Sequence, residues 1–145
     1  MINLPDYKKI HCIGIGGIGL SAVAEILMAR GYDISGSDMR ESDMTAKLAH
    51  DGAQIYIGHK AENVDGKDLI IYSSAISMEN PELAKAKELG IPAVTRAQAL
   101  GALMAEYDSS IAISGTHGKT TTTSMVSLIL KNAHQEPTIL VGGNL

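Results

Sequence analysis

The apolar run Lys9 to Ile15 passes into a glycine cluster, Gly14, Gly16, Gly17 and Gly19, and then into Leu20, Val23, Ala24 and Leu27 at helical spacing. A strand buried on both faces that turns through glycine into an amphipathic helix commits the chain to βαβ units and a parallel sheet. Few other folds accommodate that order. Gly31 takes the left-handed position that ends the helix.

The remaining chain keeps the same alternation. Tyr32 to Ser37 predicts a second strand, Met44 to His50 a helix ending at Gly52, and Ala53 to Ile57 and Asp68 to Tyr72 strands three and four. Asn80-Pro81-Glu82 is a helix start: Asn caps free amides, Pro suits the first turn and Glu complements the positive end. That helix stops at Gly90. Ile91 to Val94 is a candidate fifth strand, and Thr95 with Gln98 forms a capping-box signal for a helix carrying Leu100, Leu103 and Met104. Beyond it, Ser110 to Ser114 predicts a strand, Lys119 to Ala133 a helix and Thr138 to Val141 a last strand. The fold class is α/β, a Rossmann-like doubly wound parallel sheet followed by an incomplete phosphate-loop α/β unit. The polar turn Glu106 to Ser109 divides it into domains at 1–106 and 107–145.

Bulk properties narrow the partners. The 145 residues carry a net charge of −4 with no Trp, no Phe and five Tyr, which supplies neither the basic surface nor the stacking platforms of a nucleic-acid binder. One cysteine, Cys12, excludes an intrachain disulfide and suits a reducing, cytoplasmic setting. His11 and Cys12 are adjacent in a strand, point to opposite faces and are therefore not joint metal ligands. The first nine residues lack signal-peptide order and no apolar run is long enough to span a bilayer, so no membrane partner is expected.

Gly14, Gly16 and Gly19 fit G-x-G-x-x-G in the strand-to-helix setting that gives this short motif meaning. Glycine lets the backbone approach a diphosphate while the helix start aims free N–H groups at it. Asp38, 19 residues beyond Gly19 in Ser35-Gly36-Ser37-Asp38, is placed to accept hydrogen bonds from a nucleotide's ribose or base. NAD and a UDP-sugar both present such a diphosphate, and the loop by itself does not separate them.

A second glycine loop follows Ser110 to Ser114: Gly115-Thr116-His117-Gly118-Lys119-Thr120-Thr121. Its amides would cradle phosphates, the Lys119 ammonium would lie between β and γ oxygens, and the Thr120 hydroxyl would help hold magnesium. The general phosphate-loop pattern asks for Gly where this chain has Ile113.

The variant G-T-x-G-K-T resembles that of the Mur ligase superfamily and the related folylpolyglutamate synthetases. With Gly14 to Gly19, Ser35 to Asp38, Tyr72-Ser73-Ser74-Ala75-Ile76 and Gly115 to Thr123, the chain looks like the UDP-N-acetylmuramate:L-alanine ligases of that superfamily nearly end to end. The resemblance implies a first domain that binds the uridine diphosphate of UDP-N-acetylmuramate through Gly16, Gly17, Ile18 and Gly19. Ser37, Asp38, Ser73, Ser74 and Ala75 would lie along the nucleotide. Arg96 and His59 are further candidates, against the plainer roles of a helix first turn and a surface loop.

The resemblance further implies that ATP and Mg act at the second loop, that Lys119 is catalytic, and that the muramyl carboxylate becomes an acyl phosphate attacked by the amine of L-alanine. The product belongs to peptidoglycan precursor synthesis. The superfamily's later metal-binding carboxylates lie beyond Leu145, so the chain by itself is expected to lack ligase activity. Residues 107–145 are too few to bury both faces of a sheet, so this segment is expected to pack against the first domain, to exchange with another copy of the chain, or to be poorly ordered. Two rivals stand beside this: a stand-alone nucleotide-sugar-binding or regulatory module, and an NAD-binding oxidoreductase, which would leave Gly115 to Thr121 unexplained.

Overall fold

The computed structural model describes residues 1–141. The chain divides into two compact units, Met1–Glu106 and Tyr107–Leu145. In the first unit five strands, β1 (Lys9–Ile13), β2 (Asp33–Asp38), β3 (Gln54–Ile57), β4 (Leu69–Tyr72) and β5 (Ala93–Thr95), form one sheet in the order β3-β2-β1-β4-β5. Every pairing is parallel. The chain winds outward from β1 to β3, then crosses to β4 and β5 on the other side. The strand order therefore reverses between β1 and β4, and the crevice at the carboxyl ends of those strands is where open α/β sheets take ligands.

Helices α1 (Ile18–Ala29), α2 (Asp43–His50), α3 (Pro81–Glu88) and α4 (Arg96–Met104) cover the two faces. Because strand side chains alternate, β1 splits into Ile10 and Cys12 on one side and His11 and Ile13 on the other. The first side packs under α1, whose Leu20, Val23, Ala24 and Leu27 are buried at the expected i, i+3, i+4, i+7 spacing. The second side meets α3 and the 3-10 turn Ala61–Val64, where Ile13, Val64, Ile70, Leu83 and Ala86 form one apolar cluster.

Local sequence explains the boundaries. Asn80 Oδ1 accepts the Glu82 N–H at 2.8 Å, and Pro81 occupies the first turn of α3. Thr95 and Gln98 close the capping box on α4. A second box, Ser42 with Thr45, starts α2 at Asp43, just ahead of the Met44 that the apolar pattern suggests. β1 stops at Ile13 rather than at Ile15, because Gly14 turns the backbone with φ +83°. β5 runs from Ala93 to Thr95, displaced from the predicted Ile91 to Val94.

The second unit departs from expectation. Helix α5 (Lys119–Asn132) forms, but neither Ser110 to Ser114 nor Thr138 to Val141 is a strand. A helix closes its hydrogen bonds within its own segment, whereas a strand needs a neighbour at every rung. Helix α5 buries no residue, and Ile111, Met125, Leu128 and Ile129 stand exposed.

Candidate functional site

The glycine loop sits at the carboxyl end of β1, between the ends of β2 and β4. Three of its amides are fixed from β2: Gly14 and Ile15 both donate to the Ser37 carbonyl, at 2.8 and 3.0 Å, and Gly16 donates to Asp38 Oδ2 at 2.9 Å. The other Asp38 oxygen accepts the Met39 N–H at 2.8 Å. Gly17 donates to the Gly14 carbonyl at 3.1 Å and serves as N-cap of α1. Asp38 thus braces the loop through its carboxylate, with one oxygen on the Gly16 amide and the other on the Met39 amide. The Ser37 side chain is fully buried, its hydroxyl turned to Glu82 and His59.

Close approach explains why glycine is needed here. A Cβ on Gly16 would lie 2.8 Å from Asp38 Oδ2, and one on Gly36 would collide with the Ile15 side chain and lie 2.8 Å from the Cys12 carbonyl. The latter contact is backbone and leaves no room to yield.

With Gly14 to Gly17 engaged internally, the open donors are the N–H groups of Ile18, Gly19 and Leu20, which take no hydrogen bond among the described residues. Helix α1 has no side-chain cap and no acid in its first turn, so its positive end is uncompensated. Arg96, the first residue of α4, lies across Gly19: its Cδ, Nε and Cζ are 3.1 to 3.2 Å from the place a Gly19 Cβ would occupy. It forms no ion pair among the described residues. Three open amides and, beside Gly19, a guanidinium without an ion pair among the described residues therefore share the start of α1, an arrangement suited to an anion.

The turn after β4 completes the rim. Ser73 donates its N–H to the Ile13 carbonyl at 3.1 Å, and the Ala75 N–H reaches Ser73 Oγ at 3.3 Å. Ser74 and Ala75 line the turn, with Ala75 exposed. Gly16 to Gly19, Asp38, Ser73 to Ala75 and Arg96 are thus gathered at one edge of the sheet, while His59 and the Ser37 hydroxyl belong to a buried cluster on the β1–β2 face. The position of Arg96 depends on the β5–α4 junction meeting α1, a long-range contact its local sequence does not announce.

Glu82 is the centre of that buried cluster, although its local sequence marks it only as a helix-end charge. Its Oε1 accepts from His11 Nε2 at 2.9 Å and Asn63 Nδ2 at 2.9 Å, and its Oε2 from the Ser37 hydroxyl at 2.7 Å and His59 Nδ1 at 2.7 Å. Burial pushes the carboxyl up, yet the hydrogen bonds from His11, Ser37, Asn63 and His59 together hold it below its ordinary value. On the opposite face, burial without any such donor pushes the Cys12 thiol up to about 12, which makes it inert packing.

In the second unit the loop 115–118 enters α5 through Gly118, left-handed at φ +79° and unable to cap with a side chain. The amides of Lys119, Thr120 and Thr121 open the helix with no acid in the first turn. Gly115, Thr116, His117, Gly118, Lys119, Thr120 and Thr121 are all exposed, and Lys119 Nζ folds back to the Gly115 carbonyl at 2.5 Å. Among the described residues no group of three or more His, Cys, Asp or Glu is placed to hold a metal. No helix among them is long and apolar enough to cross a membrane.

Comparison with known proteins agrees with this layout. The family model "Mur ligase family, catalytic domain" matches residues 9–108. UDP-N-acetylmuramate–L-alanine ligases of Alkaliphilus metalliredigens and Clostridium botulinum (Hall strain) are 55% and 59% identical over 138 residues, which is 95% of this chain and 30% of each relative. The chain therefore spans about 30% of the length of these curated relatives. Among solved structures, the UDP-N-acetylmuramate–alanine ligase of Thermotoga maritima superposes with a TM-score of 0.87 at 40% identity, covering 94% of this chain and 32% of that one. The UDP-N-acetylmuramate:L-alanyl-γ-D-glutamyl-meso-diaminopimelate ligase of Neisseria meningitides also gives 0.87, at 30% identity over 95% of this chain and 44% of that one. With a doubly wound sheet, a glycine loop at its switch point and a family match over most of its length, the chain belongs to the Mur ligase family.

Proposed function

We propose that residues 1–106 are a UDP-sugar-binding domain taking UDP-N-acetylmuramate, and that residues 107–145 open the ATP-binding domain of an L-alanine-adding ligase. The observation that carries this reading is the convergence of the Ile18, Gly19 and Leu20 amides with the Arg96 guanidinium at the switch point. A diphosphate seated there has Asp38 on one side and Ser73, Ser74 and Ala75 on the other, along which the nucleoside extends. The names of the relatives, all at 54% identity or more, support the muramyl substrate and the alanine acceptor.

At the second loop the open amides and Lys119 fit a triphosphate. Lys119 would leave the Gly115 carbonyl to meet the β and γ oxygens, and its contribution is electrostatic. The Thr120 hydroxyl is the group of this loop best suited to Mg, which would neutralise charge on the transferring phosphoryl group. In the whole ligase ATP converts the muramyl carboxylate into an acyl phosphate, since an unactivated carboxylate has no adequate leaving group, and the alanine amine displaces the phosphate. The setting is the cytoplasm and the pathway peptidoglycan precursor synthesis. The exposed Ile111, Met125, Leu128 and Ile129 favour self-association of the 145-residue chain. Sedimentation over a concentration series reads that directly, and a monomer throughout excludes it.

Separate calorimetric titrations with UDP-N-acetylmuramate, ATP and NADH test the assignment. Uptake of the uridine compound and of ATP is expected. Binding of NADH alone would replace this reading with a dinucleotide-dependent one.

A further inference from the structure

The cluster around Glu82 has no evident need to contain a charge. A buried carboxylate contributes little net stability compared with an apolar residue of the same volume, and its better-attested use is to hold one geometry. What this one holds can be followed atom by atom. An ionised carboxylate only accepts, so His11 presents a proton on Nε2 and His59 one on Nδ1, while His11 Nδ1 shares a hydrogen bond with the Ser35 hydroxyl at 2.8 Å. Asn63 is held in turn by the Gly58 carbonyl at 3.2 Å. His11, Ser37 and Glu82 are fully buried, and no buried side-chain polar atom lacks a partner among the described residues. Every donor around Glu82 is therefore committed, and the Ser37 hydroxyl has one place to point.

Ser37 is also where β2 grips the glycine loop. Its carbonyl takes two successive loop amides, Gly14 and Ile15, and the next residue, Asp38, takes the third, Gly16. On the other side of β2, Gly36 receives the Ile15 side chain at a distance no Cβ permits. The end of β2 thus sets the loop's height above the sheet from both faces. A small rotation of Ser37 would move three amides together and, through Gly17, the start of α1.

We infer that Glu82 is a positioning residue for the diphosphate site: through Ser37 it fixes the end of β2 and hence the loop from which the Ile18 to Leu20 amides project. It touches no ligand. The inference rests on the uridine-diphosphate reading above and adds to it a residue remote from the rim. It also accounts for His59 and the Ser37 hydroxyl, which share the cluster and not the cleft.

The test uses the 145-residue chain, isotopically labelled, with uridine 5′-diphosphate as probe. Glu82→Gln keeps the shape but removes the charge and presents an amide to donors that need an acceptor. Its affinity should fall about tenfold, the scale of one charge-assisted hydrogen bond. In the ligand-free protein the amide resonances of Gly14, Ile15 and Gly16 should move while those of Ile70 and Ile71 in β4 stay. Ser37→Ala should reproduce both effects, and the double variant should be no weaker than the worse single one, because the two residues act in series. A folded Glu82→Gln protein with wild-type affinity and unmoved loop amides would overturn the inference, as would effects that simply multiply. If Glu82→Gln does not fold, Ser37→Ala decides by the same two readouts. Should the unsubstituted chain bind no uridine diphosphate, the site reading fails, while the ligand-free loop resonances still decide whether Glu82 positions the loop.

Discussion

Two glycine loops in this chain share one grammar, an apolar run, a glycine turn and a helix, and the structure treats them differently. Gly14 to Gly19 is clamped by β2, roofed by Arg96 and backed by five paired strands. Gly115 to Thr121 keeps its helix but not its strands, and α5 buries nothing. The turn and the helix start are local properties, fixed by glycine's freedom and by unpaired amides. The strand is not local; Ser110 to Ser114 has the composition of a buried strand but lacks a ladder on which to form one.

The largest test of that contrast is core truncation. Ile71→Ala, at a fully buried position in β4, should destabilise the first unit by about 2–5 kcal/mol, read by denaturant unfolding. Gly36→Ala should follow at about 1–3 kcal/mol, since its Cβ would meet Ile15 and the Cys12 carbonyl. Gly115→Ala, by contrast, meets only the His117 carbonyl at an ordinary 3.4 Å. An equal loss at both glycines would break the contrast. The smallest effect belongs to Ile129→Ala, which should change stability by no more than about 0.5 kcal/mol because the side chain is 65% exposed.

The pH dependence separates the units in the same way. Glu82 titrates below its ordinary value when folded, as does Asp68, whose carboxylate accepts the Lys9 and Lys8 amides. Groups lowered in this way contribute stability that is present above the unfolded carboxylate range and is lost as pH falls through their folded values. Acid should therefore weaken the first unit, where His11 and His59 are bonded to Glu82 and Tyr56 lies beside His11. Glu82→Gln should flatten the acid limb of a thermal-melt series. An unchanged acid limb would mean that folding does not lower the Glu82 carboxyl.

What can be foreseen from the chain divides along the same line. Asn80-Pro81-Glu82 marks the start of α3, and Thr95 with Gln98 that of α4, because caps are satisfied within a few residues. The inward turn of Glu82 is not foreseeable, since its partners sit at positions 11, 37, 59 and 63 and only the parallel register brings them together. Spacing places Asp38 near the loop, but its bond to Gly16 depends on how β2 and the loop meet. Arg96 illustrates the same limit: its local setting is a helix first turn, and its importance comes from Gly19 across the sheet edge.

Which molecule the first loop receives decides between the two kinds of dinucleotide-shaped ligand. Amide resonances followed during titration with UDP-N-acetylmuramate should shift most at Ile18, Gly19 and Leu20, with Arg96→Ala weakening the response. If a nicotinamide dinucleotide moved those resonances and the uridine compound left them in place, the assignment would be contradicted.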